Sequence, residues 1–319
     1  MNLLSLYIGR FGLVLSISFF EYTGKKPVIL WRGQMELLKV IILGIIQGLA
    51  EFLPISSSGH LALFQQILHL NLEGGMLLDI LLHVGTLLAV FLAFWSDIKK
   101  LICEGFGIFG DCFYNIGRFL IRKGSYHRIV NSPYRKFVIM ILVSTIPTGI
   151  LGILLKDVIE YAMTTVLLPG IGLIITALLL LLADNVKPGR KGPDETGYGE
   201  AGAVGIAQGI ATFPGISRSG TTIAACLMCG FEKNFAVEYS FILSIPAVLG
   251  SMVLELKDFA AEPVAGEKMR MYLLGALIAA VVGYICIKTM LIVVRGRKYK
   301  YFAYYCLLAG TLAVVWALV

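Results

Sequence analysis

Gly44-Ile-Ile-Gln-Gly-Leu-Ala-Glu-Phe-Leu-Pro-Ile-Ser-Ser-Ser-Gly59 returns, without a gap, as Gly205-Ile-Ala-Gln-Gly-Ile-Ala-Thr-Phe-Pro-Gly-Ile-Ser-Arg-Ser-Gly220. Gln47 falls on Gln208, Phe52 on Phe213, Ser56 on Ser217, Ser58 on Ser219 and Gly59 on Gly220. The copies differ in chemistry. Glu51, Ser57 and His60 of the first stand opposite Thr212, Arg218 and Thr221 of the second. A duplicated frame with an acid and an imidazole in one half and a guanidinium in the other predicts a single site where the halves meet.

Neither copy reads as a plain span or a plain loop. Residues 36–52 suit an apolar helix, which Pro54, three serines and Gly59 then break; the apolar piece that follows, 60–70, is too short to cross a bilayer. The stretch 203–230 repeats the plan with Pro214-Gly215 as the breaker. A helix that enters, breaks and turns back is a re-entrant hairpin, tolerated at membrane depth only when buried in protein or lining a wet cavity.

The rest of the chain supplies the membrane. Of its 319 residues 58% are hydrophobic and 15% charged, too apolar for an ordinary soluble domain. Apolar runs close to the ~20 residues needed to span a bilayer recur, and the expected spans are 76–95, 136–156, 163–183, 236–256, 270–292 and 301–319. The expectation is an all-α polytopic membrane protein of six transmembrane helices and two re-entrant hairpins. The net charge of +7 is concentrated. Lys99, Lys100, Arg118, Arg122, Lys123, Arg128, Arg135 and Lys136 follow the first span, Lys187, Arg190 and Lys191 the third, and Arg295, Arg297, Lys298 and Lys300 the fifth. Six spans place these three links on one side, which the positive-inside rule makes cytoplasmic, with the C-terminus outside. Basic links of this kind are topology signals, and no nucleic-acid partner is expected.

Weak similarity continues past the motif: Leu82-His83-Val84-Gly85 lies over Leu243-Ser244-Ile245-Pro246, and Asp97 over Asp258. The organisation read from this is an N-terminal extension (1–34) without functional weight, a first repeat (35–183: hairpin 36–70 and three spans), a cytoplasmic linker (184–202), and a second repeat (203–319: hairpin 203–230 and three spans). Met35 is expected to open the repeat-bearing helix. Three spans per half is an odd number, so the second half is inverted relative to the first. Inverted repeats with broken helices are a mark of secondary transporters, which gives a transport function standing from the outset. The six cysteines lie mostly in apolar helix; Cys226-Leu-Met-Cys229 has no second pair or histidine cluster to complete a zinc site.

The tips carry the chemistry. Gln47 and Glu51, four apart, share the helix face that leads into the first tip, and a carboxylate at membrane depth marks a functional site by default. Ser56, Ser57 and Ser58 offer hydroxyls and backbone amides at a helix start, a ready anion cradle that also suits ordinary capping. His60 supplies an imidazole able to act as acid, base or nucleophile. In the second tip Arg218 stands among Ser217, Ser219, Thr221 and Thr222, and Arg is suited to bidentate grip on phosphate. The set reads as a phosphate clamp (Arg218, Ser217, Thr222), a metal or base carboxylate (Glu51) and a nucleophile or proton donor (Ser57, His60), which fits phosphoryl transfer. Asp79 and His83, four apart on the first span, suit a proton path or mutual pairing equally and are not counted as catalytic.

These residues carry a resemblance. Gln47 to His60 and Pro214-Gly-Ile-Ser-Arg-Ser-Gly-Thr-Thr222 are similar to the two signatures of the bacterial undecaprenyl-diphosphatase, or bacitracin-resistance protein, family. The likeness runs from about residue 36 to the C-terminus and includes Asp79-Ile-Leu-Leu-His-Val-Gly-Thr-Leu-Leu-Ala-Val90 and Phe241-Ile-Leu-Ser-Ile-Pro-Ala247. It implies hydrolysis of a C55 polyprenyl diphosphate to the monophosphate, for carrier-lipid recycling in cell-wall synthesis and bacitracin resistance. The implied setting is the bacterial plasma membrane, with the site open to the outer face. It implies a divalent metal, Mg²⁺ or Ca²⁺, and leaves room for a homodimer. The family's carboxylate, serine, histidine and arginine fall on Glu51, Ser57, His60 and Arg218, with Ser56, Ser58, Ser217, Ser219 and Thr222 around the diphosphate. The family has Glu or Gln at the position of Gln47, and Gln here shifts metal ligation onto Glu51. Ser57, His60 and an activated water all remain open as nucleophile; the reading favours Ser57, with His60 and Glu51 handling protons and metal.

Two alternatives are weighed. Ser-Ser-Ser-Gly-His resembles an element of the type 2 phosphatidic-acid phosphatases, but that superfamily needs a histidine after its Ser-Arg, and none follows Arg218. A polyprenyl-phosphate flippase using the inverted halves is the stronger rival.

Overall fold

A computed structural model of the chain describes residues 28–67, 75–121, 124–187, 189–259, 266–296 and 298–319. By compactness the chain divides into residues 1–38 and 39–319. Of the first unit only the opening of a helix is described, and all that follows concerns the second. The described residues form helices α1 (Val28–Phe52), α2 (Ser57–Ile67), α3 (Gly75–Ala93), α4 (Trp95–Leu120), α5 (Pro133–Leu154), α6 (Lys156–Met163), α7 (Leu167–Asn185), α8 (Tyr198–Ile210), α9 (Arg218–Met228), α10 (Lys233–Phe259), α11 (Gly266–Arg295) and α12 (Tyr299–Leu318). Five of them, α5, α7, α10, α11 and α12, are each long and apolar enough to cross a membrane, and α3 with α4 makes a sixth, bent pair. The chain is an all-α polytopic membrane protein.

Local sequence sets the element ends. Ser132 caps α5, its hydroxyl accepting from the Arg135 N–H at 3.2 Å, with Pro133 at the first helical position where no N–H is missed. Glu200 reaches back to the Gly197 N–H at 2.7 Å and closes the start of α8. Both broken helices break where the motif predicts: α1 ends at Phe52 and α2 starts at Ser57, while α8 ends at Ile210 and α9 starts at Arg218.

Three features differ from the sequence reading. Helix α1 begins at Val28, ahead of Met35, so the expected extension is partly helix; residues 1–27 lie outside the described residues, as do 68–70 at the end of the first hairpin. The link between the first two spans contains α4, which leaves α3 at 89°. Its charges mask it in a search for spans, although its apolar residues recur at helical spacing. The short α6 precedes the third span, which starts at Leu167 rather than 163.

Packing between the halves is exchanged. Gly44 and Gly48 of α1 lie against α11, where a Cβ would stand 2.7 Å from the Gly275 carbonyl oxygen and 2.8 Å from that of Ala279. Their counterparts Gly205 and Gly209 in α8 lie against Ser144 and Leu151 of α5. Helix α5 is the second span of its half, as α11 is of the other. Small residues four apart permit such close approach, and in lipid, where burial of apolar surface drives little, close van der Waals packing is what joins helices. The third spans meet directly: Gly170 of α7 and Gly310 of α12 each face the other's backbone. Each broken helix thus rests on the spans of the opposite half, which brings both breaks to the same place. Around them sits a core that includes Phe52, Phe94 and Phe241, with the Phe52 and Phe241 rings edge to face at 5.4 Å.

Candidate active site

The two breaks touch. A Cβ on Gly59 would stand 2.9 Å from the Gly215 Cα, and one on Gly220 would stand 3.1 Å from the Pro54 Cβ. The residues shared by the two copies build equivalent frames. Ser56 Oγ accepts from the Gly59 N–H at 3.3 Å, and Ser217 Oγ accepts from the Gly220 N–H at 3.1 Å. Ser56 and Ser58 hydroxyls lie 3.4 Å apart, as do those of Ser217 and Ser219. Each break also leans on the third span of the other half. The Thr176 hydroxyl donates to the Gly215 carbonyl at 3.0 Å, and the Cys306 thiol donates to the Pro54 carbonyl at 3.7 Å. These serines serve as helix caps and hold the breaks in shape.

The residues that differ between copies converge on one carboxylate. Glu51 Oε1 pairs with the Arg218 guanidinium across the two tips. Its Oε2 accepts from the Ser57 hydroxyl at 2.6 Å and from Gln47 Nε2 at 3.1 Å. The side chain of Glu51 is 7% exposed and that of Arg218 23%. A mostly buried pair of this kind is held by mutual neutralisation, and removing one partner strands the other charge, at about 3–5 kcal/mol. Thr212, the counterpart of Glu51, returns its hydroxyl to the Gly209 carbonyl of α8 at 2.6 Å.

Glu51 and Arg218 line a small cavity with Phe52, Ser219, Ser240, Phe241 and Ser244. Helix α10 supplies its far wall. Ser240 and Ser244, four apart, present hydroxyls on one face of that span. Ser240 is joined to Thr222, and Ser244 donates to the Phe241 carbonyl at 2.7 Å. Thr222 is buried and its hydroxyl is also bonded to the Arg218 carbonyl at 2.9 Å, so it braces the arginine's own backbone.

His60 is turned to other partners. Its Nδ1 lies 2.8 Å from the Ser56 carbonyl oxygen, and its Nε2 lies 2.7 Å from the Tyr305 hydroxyl. A carbonyl can only accept, so Nδ1 carries the hydrogen, and in the neutral ring Nε2 accepts from Tyr305. The rings of His60 and Tyr305 are nearly parallel, centroids 5.6 Å apart. Tyr305 escaped the sequence reading because it sits in an aromatic-rich run, Tyr299 to Tyr305, that has the composition of a membrane-interface belt. Ser240 carried a legible signal, a hydroxyl four residues from Ser244 on an apolar span. His83 is bonded through Nδ1 to the Asp79 backbone carbonyl at 2.8 Å, on its own helix. Cys226 is buried and Cys229 half-buried, both as free thiols.

For a divalent metal the donors are oxygens: the Glu51 carboxylate, the Ser57 hydroxyl and the Gln47 amide. Gln47 is buried and its Oε1 has no hydrogen-bond partner among the described residues; the same atom of Gln208 is also unpartnered, but there no carboxylate stands beside it. Among the described residues no three His, Cys, Asp or Glu side chains gather into a metal group. An all-oxygen donor set of this kind is the type a hard cation such as Mg²⁺ takes, completing its shell with water.

Fold and site together define a polytopic membrane protein in which two broken helices close on one carboxylate–guanidinium centre. The chain belongs to the bacitracin resistance protein BacA family, whose model matches residues 40–312. It is 41% identical over 286 residues to an undecaprenyl-diphosphatase of Methanosphaera stadtmanae, covering 89% of this chain and 99% of that protein. Proteins of the same name from Halothermothrix orenii and Alkaliphilus metalliredigens are each 40% identical, covering 89% of this chain and 99% and 100% of theirs.

Proposed function

We propose that this chain hydrolyses undecaprenyl diphosphate to undecaprenyl phosphate and inorganic phosphate, with Glu51, Ser57 and Arg218 as its reacting centre. Family membership and the relatives' shared name support the reaction. The observation that carries the site is the convergence of Ser57 and Arg218, equivalent positions of the two copies, on the single carboxylate of Glu51.

The geometry suggests the following division of work. Arg218 has five N–H donors, and those not engaged by Glu51 grip the terminal phosphate bidentately. Ser57 Oγ, already 2.6 Å from Glu51 Oε2, gives up its proton to that oxygen as it attacks the terminal phosphorus. The bond from this phosphorus to the bridging oxygen breaks, the lipid monophosphate departs with the electron pair, and a phosphoserine remains. Glu51 passes its first proton to the departing phosphate, and the restored carboxylate takes one from the attacking water; as water adds to phosphorus the bond to Ser57 Oγ breaks, Oγ takes that proton back, and inorganic phosphate leaves. Charge building on the equatorial oxygens meets the guanidinium in a site walled by Phe52 and Phe241, where such a contact is worth more than in water. A divalent metal held by Glu51 and Gln47 Oε1 would add Lewis-acid stabilisation of the phosphate oxygens. Tyr305 and the Ser56 carbonyl fix the His60 ring beside the first tip, ready to shuttle protons once Tyr305 yields Nε2.

The basic links support a topology with the C-terminus outside, hairpin one entering from that side and the site open to the outer face. The test is phosphate release from C55 diphosphate by purified protein in detergent with Mg²⁺ or Ca²⁺. Release that stops on chelation and returns with metal is expected. Movement of labelled lipid across vesicles without cleavage would instead favour the flippase reading, for which the exchanged halves are the supporting feature.

A further inference from the structure

Helix α4 wears its polarity on the wrong sides for a helix in water. Its polar stripe faces the protein. Arg135 donates to Glu104 at 2.8 Å and to Asp111 at 2.5 Å, Lys100 donates to the Tyr134 hydroxyl at 3.1 Å, and Asn115 exchanges two hydrogen bonds, 2.8 and 2.7 Å, with the His127 backbone. These contacts tie α4 to the first turn of α5 and to the segment before it. The opposite stripe is apolar and bare: Trp95, Ile102, Phe106, Phe109, Phe113 and Leu120, the first 57% exposed, Phe106 75% and Leu120 74%. Their spacing of three, four and seven residues puts them on one helix face. Gly105, Gly110 and Gly117 have open space around them. A continuous aromatic patch of this length is not a surface that water tolerates on a soluble protein.

We infer that α4 lies in the membrane–water interface, with its aromatic stripe inserted among the acyl chains of the leaflet on the basic side. Three observations choose lipid over a protein partner. The helix leaves the end of a span at 89°, which lays it parallel to the plane the spans cross. The stripe is bordered by cations rather than by mixed charge: Lys99 is exposed at its edge, and Arg122 and Lys123 follow the helix in sequence. The acidic residues of the helix, by contrast, are turned away and bonded within the protein: Asp97 accepts from the Tyr134 hydroxyl at 3.0 Å, Glu104 and Asp111 pair with Arg135, and Asp111 also pairs with His127. Apolar side chains below and long cations at the rim match an anionic leaflet, whose headgroups the cations reach. The same polar ties lower the Asp111 carboxyl below its ordinary value, through its hydrogen bonds to His127 and Arg135.

The test uses the full chain, reconstituted in vesicles containing anionic lipid, with Trp31, Trp95 and Trp316 replaced by Phe. Phe113→Trp places one indole on the stripe, and Tyr126→Trp places one on the exposed segment that follows. Lipid brominated near the ester end of its acyl chains is expected to quench the Phe113→Trp indole at least about twofold more than the Tyr126→Trp indole, in keeping with insertion to about 5–10 Å. Acrylamide in the water should rank them the other way. Adding Phe106→Asp should cut the bromine quenching of the Phe113→Trp indole about twofold, and so should replacing the anionic lipid by a zwitterionic one. An indole at position 113 reached by acrylamide and not by bromine would overturn the inference. So would one shielded from both in proportion to protein density, since a second copy would then cover the stripe. Quenching indifferent to lipid charge would overturn the part assigned to the headgroups.

Discussion

The two hairpin tips share a frame and differ in what stands on it. At equivalent places, Ser56 and Ser217 cap their helices through equivalent N–H groups, and Thr176 and Cys306 brace the carbonyls of Gly215 and Pro54 from opposite halves. Yet the first tip holds the carboxylate and the second the guanidinium, and position 57 and its counterpart 218 both bond to Glu51. A two-fold arrangement of equal halves would put like groups opposite each other. Two carboxylates facing across this junction would repel, and two guanidinium groups would repel too. Divergence at Thr212 and Ser57 resolves both conflicts and leaves one acid and one base for one anion. The backbones differ as well. Ser56 takes the left-handed conformation, φ 68°, which favours glycine, whereas its counterpart Ser217 sits at φ −69° and the left-handed residue of the second tip is Gly215, φ 87°.

The comparison can be broken most severely at its centre. Arg218→Ala is expected to slow phosphate release by about a thousandfold or more, and Arg218→Lys to recover little, because a point charge lacks the fork that grips phosphate. Glu51→Gln keeps the shape and removes the base, with an expected loss of the same order and about 3–5 kcal/mol less stability from the stranded guanidinium. Next comes Ser57→Ala, expected to cost about 10²–10⁴-fold in kcat if the hydroxyl is the nucleophile; a loss below about tenfold would move that role to water. The shared frame should respond differently. Gly205→Val and Gly44→Val push a side chain into α5 and α11 respectively, and each should lower thermal stability in detergent by about 1–3 kcal/mol while sparing the chemistry of molecules that remain folded. The smallest effect is expected at the tips' own backbones. Ser217→Ala removes a cap at about 1 kcal/mol, whereas Ser56→Gly trades its cap for relief of a left-handed serine and should change stability by less than about 1 kcal/mol.

Much of this was legible because the repeat is long and ungapped. Alignment of the copies pointed to Glu51, Ser57, His60 and Arg218 as the positions that differ, and the structure draws Ser57 and Arg218 within hydrogen-bonding distance of Glu51. His60 was legible as an unusual residue but not in its partners, since Tyr305 lies on the last helix and nothing local links the two. The six spans followed from apolar length, and helix–helix pairing did not: the exchange that sets α1 on α11 and α8 on α5 is written in glycines at Gly44, Gly48, Gly205 and Gly209, which read equally well as neutral members of apolar helices. Helix α4 was hidden by its charges. Its acidic residues and Lys100 lie on one face and bond to the protein, so a window average sees a polar link where the helix wheel shows an aromatic stripe.

The central claim is that the two halves supply one site and act on the same phosphate. It is tested most directly by kcat/KM for phosphate release in Glu51→Gln, Arg218→Ala and the double variant. If carboxylate and guanidinium work as a unit, the double variant should be about as slow as the slower single one. Losses that multiply would contradict a shared centre and assign the two tips to separate tasks.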